Sequence, residues 1–165
     1  MSRLAILRWP DPRLSAVCEE VTDIPAAAAL AQDMLETMYA APGRGLAAPQ
    51  VGVLQRLFVM DVGWKDGAAT PMVCINPEIA AASEAQAEGE EGCLSIPGVT
   101  ARVRRPTAIT LRYLDETGNR REAALEGFAA RCAQHELDHL DGLVTFDRLP
   151  PEVRAPLEAA YEALP

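Results

Sequence analysis

Both histidines of the chain stand in one short run, Gln134-His135-Glu136-Leu137-Asp138-His139. Side chains at i and i+4 of a helix share a face, one turn apart. Two imidazoles placed this way can grip one cation, and the glutamate between them can handle protons on an activated water. The spacing therefore predicts a hydrolytic metal site; the alternative is a pair of solvated histidines on a helix surface. A catalytic centre of this type takes three protein ligands and keeps a fourth position open. With no third histidine, the remaining ligand must be Cys, Asp or Glu. Cys132 shares the helix face but lies about 10 Å along the axis from His139, which makes it packing beside the site. Glu158 and Glu162 are candidates of the metalloprotease kind, read more simply as a solvated helix face. Cys93, in Glu90-Glu91-Gly92-Cys93-Leu94-Ser95-Ile96-Pro97-Gly98, is the best candidate, because a neighbouring glycine lets backbone approach a metal or substrate closely. A plain buried thiol is its competing reading.

The elements that must position these groups can be read from pattern. A helix is predicted from Pro25 to Tyr39, with Asp23 as cap and Pro25 in its first turn. The segment from Ala41 to Gly45 ends it in a loop rich in glycine and proline. Strand-like runs follow at Arg56–Asp61, Met72–Asn76 and Ala108–Tyr113. Asp115–Asn119 reads as a hairpin tip leading into a strand at Arg121–Leu125. Ala80–Glu90 fits either an exposed strand or a loop. A second helix is expected from Gly127 to Asp141, stopped by Gly142, and a third from Pro151 to Ala163. Leu4–Leu7 reads as a short strand or an extended arm entering the turn at Pro10-Asp11-Pro12. Many strands around few helices predict an α+β domain.

At 165 residues, nearly half of them apolar, the chain suits one domain with its own core. The formal net charge of −9 speaks against nucleic-acid and anionic-membrane partners, which need a basic face. No apolar run is long enough to span a bilayer, and the opening residues lack the length of a secretory signal, so a cytoplasmic location is expected. The four cysteines, Cys18, Cys74, Cys93 and Cys132, have neither disulfide-framework nor zinc-knuckle spacing.

Three separated stretches together resemble the bacterial peptide deformylases: Gly43-Arg44-Gly45-Leu46-Ala47-Ala48-Pro49-Gln50, then Glu91-Gly92-Cys93-Leu94-Ser95, then His135-Glu136-Leu137-Asp138-His139. The likeness runs from about Leu4 to Leu149. It implies a single catalytic domain over residues 1–165, with antiparallel sheets around a central helix that carries the two histidines, plus an N-terminal and a C-terminal helix. It implies removal of formate from the N-formylmethionine of nascent peptides, at one divalent cation held by Cys93, His135 and His139. Fe²⁺ is the implied native ion, with Zn²⁺ or Ni²⁺ able to take its place. Glu136 is the implied proton carrier; the Gln50 amide and the Leu94 backbone N–H are the implied oxyanion donors. Taken alone, Gln50 reads as an amide that stabilises a turn. Substrate contacts are implied for Gly43, Arg44, Gly45, Glu91, Gly92 and Phe128, and a monomer is the implied form. Asp138 is expected to orient a ligand or a nearby basic residue.

The chain departs from the family pattern at Arg44, where relatives commonly carry an apolar residue. Three placements are open for it: solvent, an ion pair with Glu90 or Glu91, or a reshaped pocket with altered substrate preference. Thr100 and Arg104 depart as well. In the terminal helix Glu152, Glu158 and Glu162 outnumber Arg154, which disfavours ribosome docking through it. A deformylase-like paralogue with another substrate and a catalytically silent peptide-binding homologue are the competing functional readings.

Overall fold

The computed structural model describes residues 2–165. It is an α+β structure of antiparallel sheets and helices. Among the described residues three α-helices, α1 (Ile24–Ala40), α2 (Gly127–Leu140) and α3 (Pro151–Glu162), accompany seven strands. The strands are β1 (Gly45–Ala47), β2 (Leu57–Met60), β3 (Met72–Ala82), β4 (Gln86–Cys93), β5 (Ile96–Pro106), β6 (Ala108–Leu114) and β7 (Arg120–Glu126). Five form one sheet in the order β1-β2-β3-β6-β7, and β4 and β5 form a separate pair; all the pairings are antiparallel.

Alternation along the strands builds the core, since successive side chains point to opposite faces. Leu57, Val59, Val73 and Ile75 face α1 and pack with Ala27, Ala31, Met34 and Met38. Phe58, Met60, Cys74 and Leu111 face the other way and pack with Ala130, Cys132, Ala133 and Leu140 of α2. The end of the large sheet made by β1, β2 and the first half of β3 is thus buried on both faces between two helices, while the rest of β3 and most of β7 are exposed. A third cluster, Leu14, Ile96, Val144 and Phe146, joins the N-terminal arm and α3 to β5. Burial of this kind contributes about 25 cal/mol per Å² of apolar surface.

The predicted helices match α1, α2 and α3 to within a residue or so at each end. Asp23 caps α1, accepting from the backbone N–H of Ala26 at 3.0 Å, as expected. Residues 4–7 form an extended arm: Leu7 N–H donates to Gln50 O, and Trp9 N–H to Ser95 O. The ambiguous stretch from Ala80 to Glu90 divides, its first part ending β3 and its last part opening β4. Strand β5 has no counterpart among the runs that the sequence pattern marks. No helix among the described residues is long and apolar enough to cross a membrane.

Candidate metal centre

Helix α2 presents His135, Glu136 and His139, all buried. The hairpin of β4 and β5 approaches from the side. It turns through Leu94 and Ser95, and Cys93 pairs with Ile96 at its tip. The register slips between Glu91 and Cys93, a bulge of the kind that re-aims side chains next to functional sites. Both residues face α2: Cys93 Sγ lies 3.5 Å from His139 Nε2, and Glu91 Oε1 lies 2.9 Å from His135 Nδ1.

Among the described residues, the His, Cys, Asp and Glu side chains whose donor atoms converge are Cys93, His135 and His139, all within 4.8 Å of one another. Ligand atoms around one tetrahedral cation, with bonds of about 2.0–2.3 Å, sit roughly 3.3–3.8 Å apart. One thiol and two imidazoles at these separations suit a single divalent metal ion. The bond from Glu91 to His135 Nδ1 leaves the other ring nitrogen free for that ion, the usual arrangement behind a ligating histidine. Glu136 Oε1 is buried with no protein partner, as a carboxylate kept for a water at the centre would be. Burial pushes the Glu136 carboxyl up to about 7, against the pull of His135.

The remaining expected residues gather on the same cleft, a hollow of about 690 Å³. Gln50 is buried; its Oε1 accepts from Ala47 N–H at 2.9 Å, and its Nε2 donates to Ser95 Oγ at 3.0 Å and lies 3.7 Å from Cys93 Sγ. Gly45 presses on α2 so closely that a Cβ there would come 2.5 Å from Glu136 Oε2 and 3.0 Å from Cys132 Sγ. Gly43, Gly92, Leu94 and Phe128 line the cleft with Arg44 and Glu91. Arg44 pairs with neither Glu90 nor Glu91; its guanidinium carbon lies 5.4 Å from the centre of the Phe128 ring. Cys132 stands outside the donor group, its thiol 3.7 Å from Arg44 O. Glu158 is bonded to Arg154 on α3, and Glu162 is exposed there. Arg104 bonds to Gln86 across the hairpin, and Thr100 lines the cleft.

Arg105 lies outside the residues that the sequence pattern singles out. It is 4 % exposed, donates twice to Glu91 (2.6 and 2.9 Å), and reaches Asp138 at 3.0 Å. Arg148 takes the other side of Asp138, at 2.6 and 2.9 Å, so that carboxylate orients basic residues. Arg131 adds a second guanidinium to Glu91 at 2.8 Å. Burial opposes the charge on Glu91, but the Arg105 and His135 contacts win and hold its carboxyl down at about 2. The one available signal was the alternation Ala101, Val103, Arg105 along β5, which puts an arginine at an inward position.

A family model described as polypeptide deformylase matches residues 3–155. The chain belongs to the polypeptide deformylase family. It is 51 % identical over 144 residues to a peptide deformylase of Synechococcus sp. (strain CC9605), covering 87 % of this chain and 69 % of that one. Against a deformylase of Cellvibrio japonicus (strain Ueda107) identity is 44 % over 168 residues, 99 % of this chain and 98 % of the other. The crystal structure of the Ehrlichia chaffeensis deformylase in complex with actinonin superposes with a TM-score of 0.91 at 40 % identity, covering 98 % of each chain.

Proposed function

We propose that the protein is a metal-dependent hydrolase that removes the formyl group from N-formylmethionine at the start of peptides, releasing formate. The observation that carries this is the convergence of Cys93, His135 and His139 beside a buried, unpartnered Glu136 oxygen, in a chain that matches the deformylase family over 3–155. Cys93, His135 and His139 would hold the cation. When bound, the cation supplies a Lewis acid that makes hydroxide available near neutral pH.

The roles of the side chains follow from their placement. Burial raises the Glu136 carboxyl above the ordinary carboxylate range, the direction that suits a group which takes a proton and gives it back. Glu136 takes the proton of the attacking water and returns it to the departing amine. The formyl carbon becomes tetrahedral, and its oxyanion needs donors already aimed at it. The Gln50 side-chain N–H and the Leu94 backbone N–H serve there; Ser95 and Ala47 hold the Gln50 amide in one orientation. The strand at Gly45 is open to an added peptide strand, with main-chain hydrogen bonds giving affinity, and Gly43, Arg44, Glu91, Gly92 and Phe128 line the path. On this reading α2 is the central helix of a single catalytic domain spanning residues 1–165. The donor set suits Fe²⁺, Zn²⁺ and Ni²⁺, and the family resemblance favours Fe²⁺. We also propose a monomer working in the cytoplasm, without ribosome docking through the acidic α3. The intact Glu136, Gln50 and ligand set oppose a silent homologue.

The test is formate release from formyl-Met-Ala-Ser by anaerobically purified protein, with metal content measured on the same sample. The expected result is about one metal ion per chain with catalytic release. Metal-loaded protein that releases no formate would overturn the proposal.

A further inference from the structure

We infer that the mouth of this cleft selects formylated peptides carrying an acidic side chain on the residue directly after the formylated one, with Arg44 as the group that binds it. The inference rests on the deformylase reading and deepens it. Arg44 enters β1 with its backbone fixed: its carbonyl accepts from Asp61 N–H at 2.8 Å and meets the Cys132 thiol. Its side chain extends over Phe128, which is 51 % exposed on the cleft wall. Among the described residues the guanidinium has no ion pair and no hydrogen bond to protein, although it is half-buried. A guanidinium stacked on an aromatic face keeps its edge free for a carboxylate, which it can bind through two parallel bonds.

The neighbouring charges sharpen this. Arg131 also lines the cleft, but Glu91 and the carbonyls of Val103 and Ala87 occupy it. Lys65 lines the same cleft with its ammonium 5.7 Å from the Trp64 ring, and Trp64 Nε1 donates to Gly43 O, tying that turn to the loop before Arg44. Glu90 is the one carboxylate at the mouth that has no ion pair among the described residues. A protein of net charge −9 thus keeps two unneutralised cations at the entrance to its site. Such a local field favours an anionic partner and repels a cationic one.

Distance selects the position. Phe128 precedes His135 by seven residues, about 10 Å along α2 at 1.5 Å per residue. An extended peptide advances about 3.3–3.6 Å per residue. With the formyl group at His135, that distance spans about three residues, so the residue after the formylated one falls between the donor group and the Arg44–Phe128 pair.

The experiment compares kcat/KM for formate release from three C-terminally amidated peptides, formyl-Met-Asp-Ala, formyl-Met-Ala-Ala and formyl-Met-Lys-Ala, with metal-loaded protein. The Asp peptide should exceed the Lys peptide about tenfold, mainly through KM, and the ratio should shrink in high salt. Arg44→Met should bring that ratio to about twofold or less, whatever happens to the absolute rate, and Arg44→Lys should retain part of it. Glu90→Gln should widen it. Equal values for the Asp and Lys peptides, or a ratio that moves in neither variant, would overturn the inference. Formate from the Ala peptide judges the deformylase reading by itself. If none is released, anisotropy titrations of the same peptides, labelled at the C-terminus, carry the comparison: tighter Asp binding upholds the inference and equal binding overturns it.

Discussion

The five-stranded sheet and the hairpin of β4 and β5 are held in place by different physics. The β1–β2–β3 end of the sheet is buried on both faces, and its contacts with α1 and α2 are almost wholly apolar. The hairpin presents many exposed residues and is fixed to α2 by charge: Glu91 binds Arg105, Arg131 and His135, while Arg105 continues to Asp138. Apolar contact is non-directional and tolerates small shifts; a chain of buried ion pairs fixes position and is costly to interrupt. Stability therefore resides mainly in the sheet, and the placement of Cys93 and His135 mainly in the hairpin.

That division can be broken at chosen points. The largest effect is expected at the reacting groups. Glu136→Gln should lower kcat by about 10²–10⁴-fold, with metal content measured by atomic emission unchanged. Interrupting the hairpin's charge network comes next. Arg105→Met removes two charged hydrogen bonds from buried Glu91 and one from Asp138, leaving Arg131, His135 and Arg148 as their partners, and should cost up to about 3–5 kcal/mol of unfolding free energy. It should also weaken metal affinity, by up to about 10–100-fold, because Glu91 is held less firmly against His135; chelator competition reads this directly. In the sheet, Phe58→Ala should cost a comparable 3–5 kcal/mol or so, yet leave metal affinity unmoved once the protein is folded. If Phe58→Ala loosens the metal as much as Arg105→Met does, the division is false.

The smallest effect concerns a polar link within the sheet region. The Tyr39 hydroxyl donates to Asp61 at 2.6 Å, and burial together with that carboxylate pushes its pKa up to about 12. The folded value lies above the ordinary value of about 10. Its contribution is therefore fully present below about pH 10 and is lost as pH rises toward about 12. Denaturation midpoints measured across this window should fall in the parent and fall less in Tyr39→Phe.

How much of this was legible in the sequence follows the same divide. The helices and most sheet strands announce themselves, because burial is written locally as apolar runs such as Leu57-Phe58-Val59-Met60, and Asp23 marks a helix start. The hairpin is harder to read. Its second strand holds Pro97, Gly98 and the three arginines Arg102, Arg104 and Arg105, a composition that resembles an exposed loop. What makes it a strand is pairing with β4, and what buries Arg105 is two carboxylates distant in sequence. Neither partner is visible from the local pattern. The ligand set is open on spacing alone between Cys93, Cys132 and the late glutamates; the family resemblance singles out Cys93, and the structure brings its sulfur to the histidines.

The packing of Arg131 against Gly89 limits how such a chain can change over generations. The guanidinium lies so close to the bare Cα of Gly89 that an added Cβ would meet its Nε at 2.8 Å and its Cζ at 2.9 Å. A side chain at position 89 would push the Arg131 guanidinium off its bonds to Glu91 and to the carbonyls of Val103 and Ala87. A larger residue at 89 therefore comes at the expense of those bonds, so it should be found more often where position 131 has already lost its arginine.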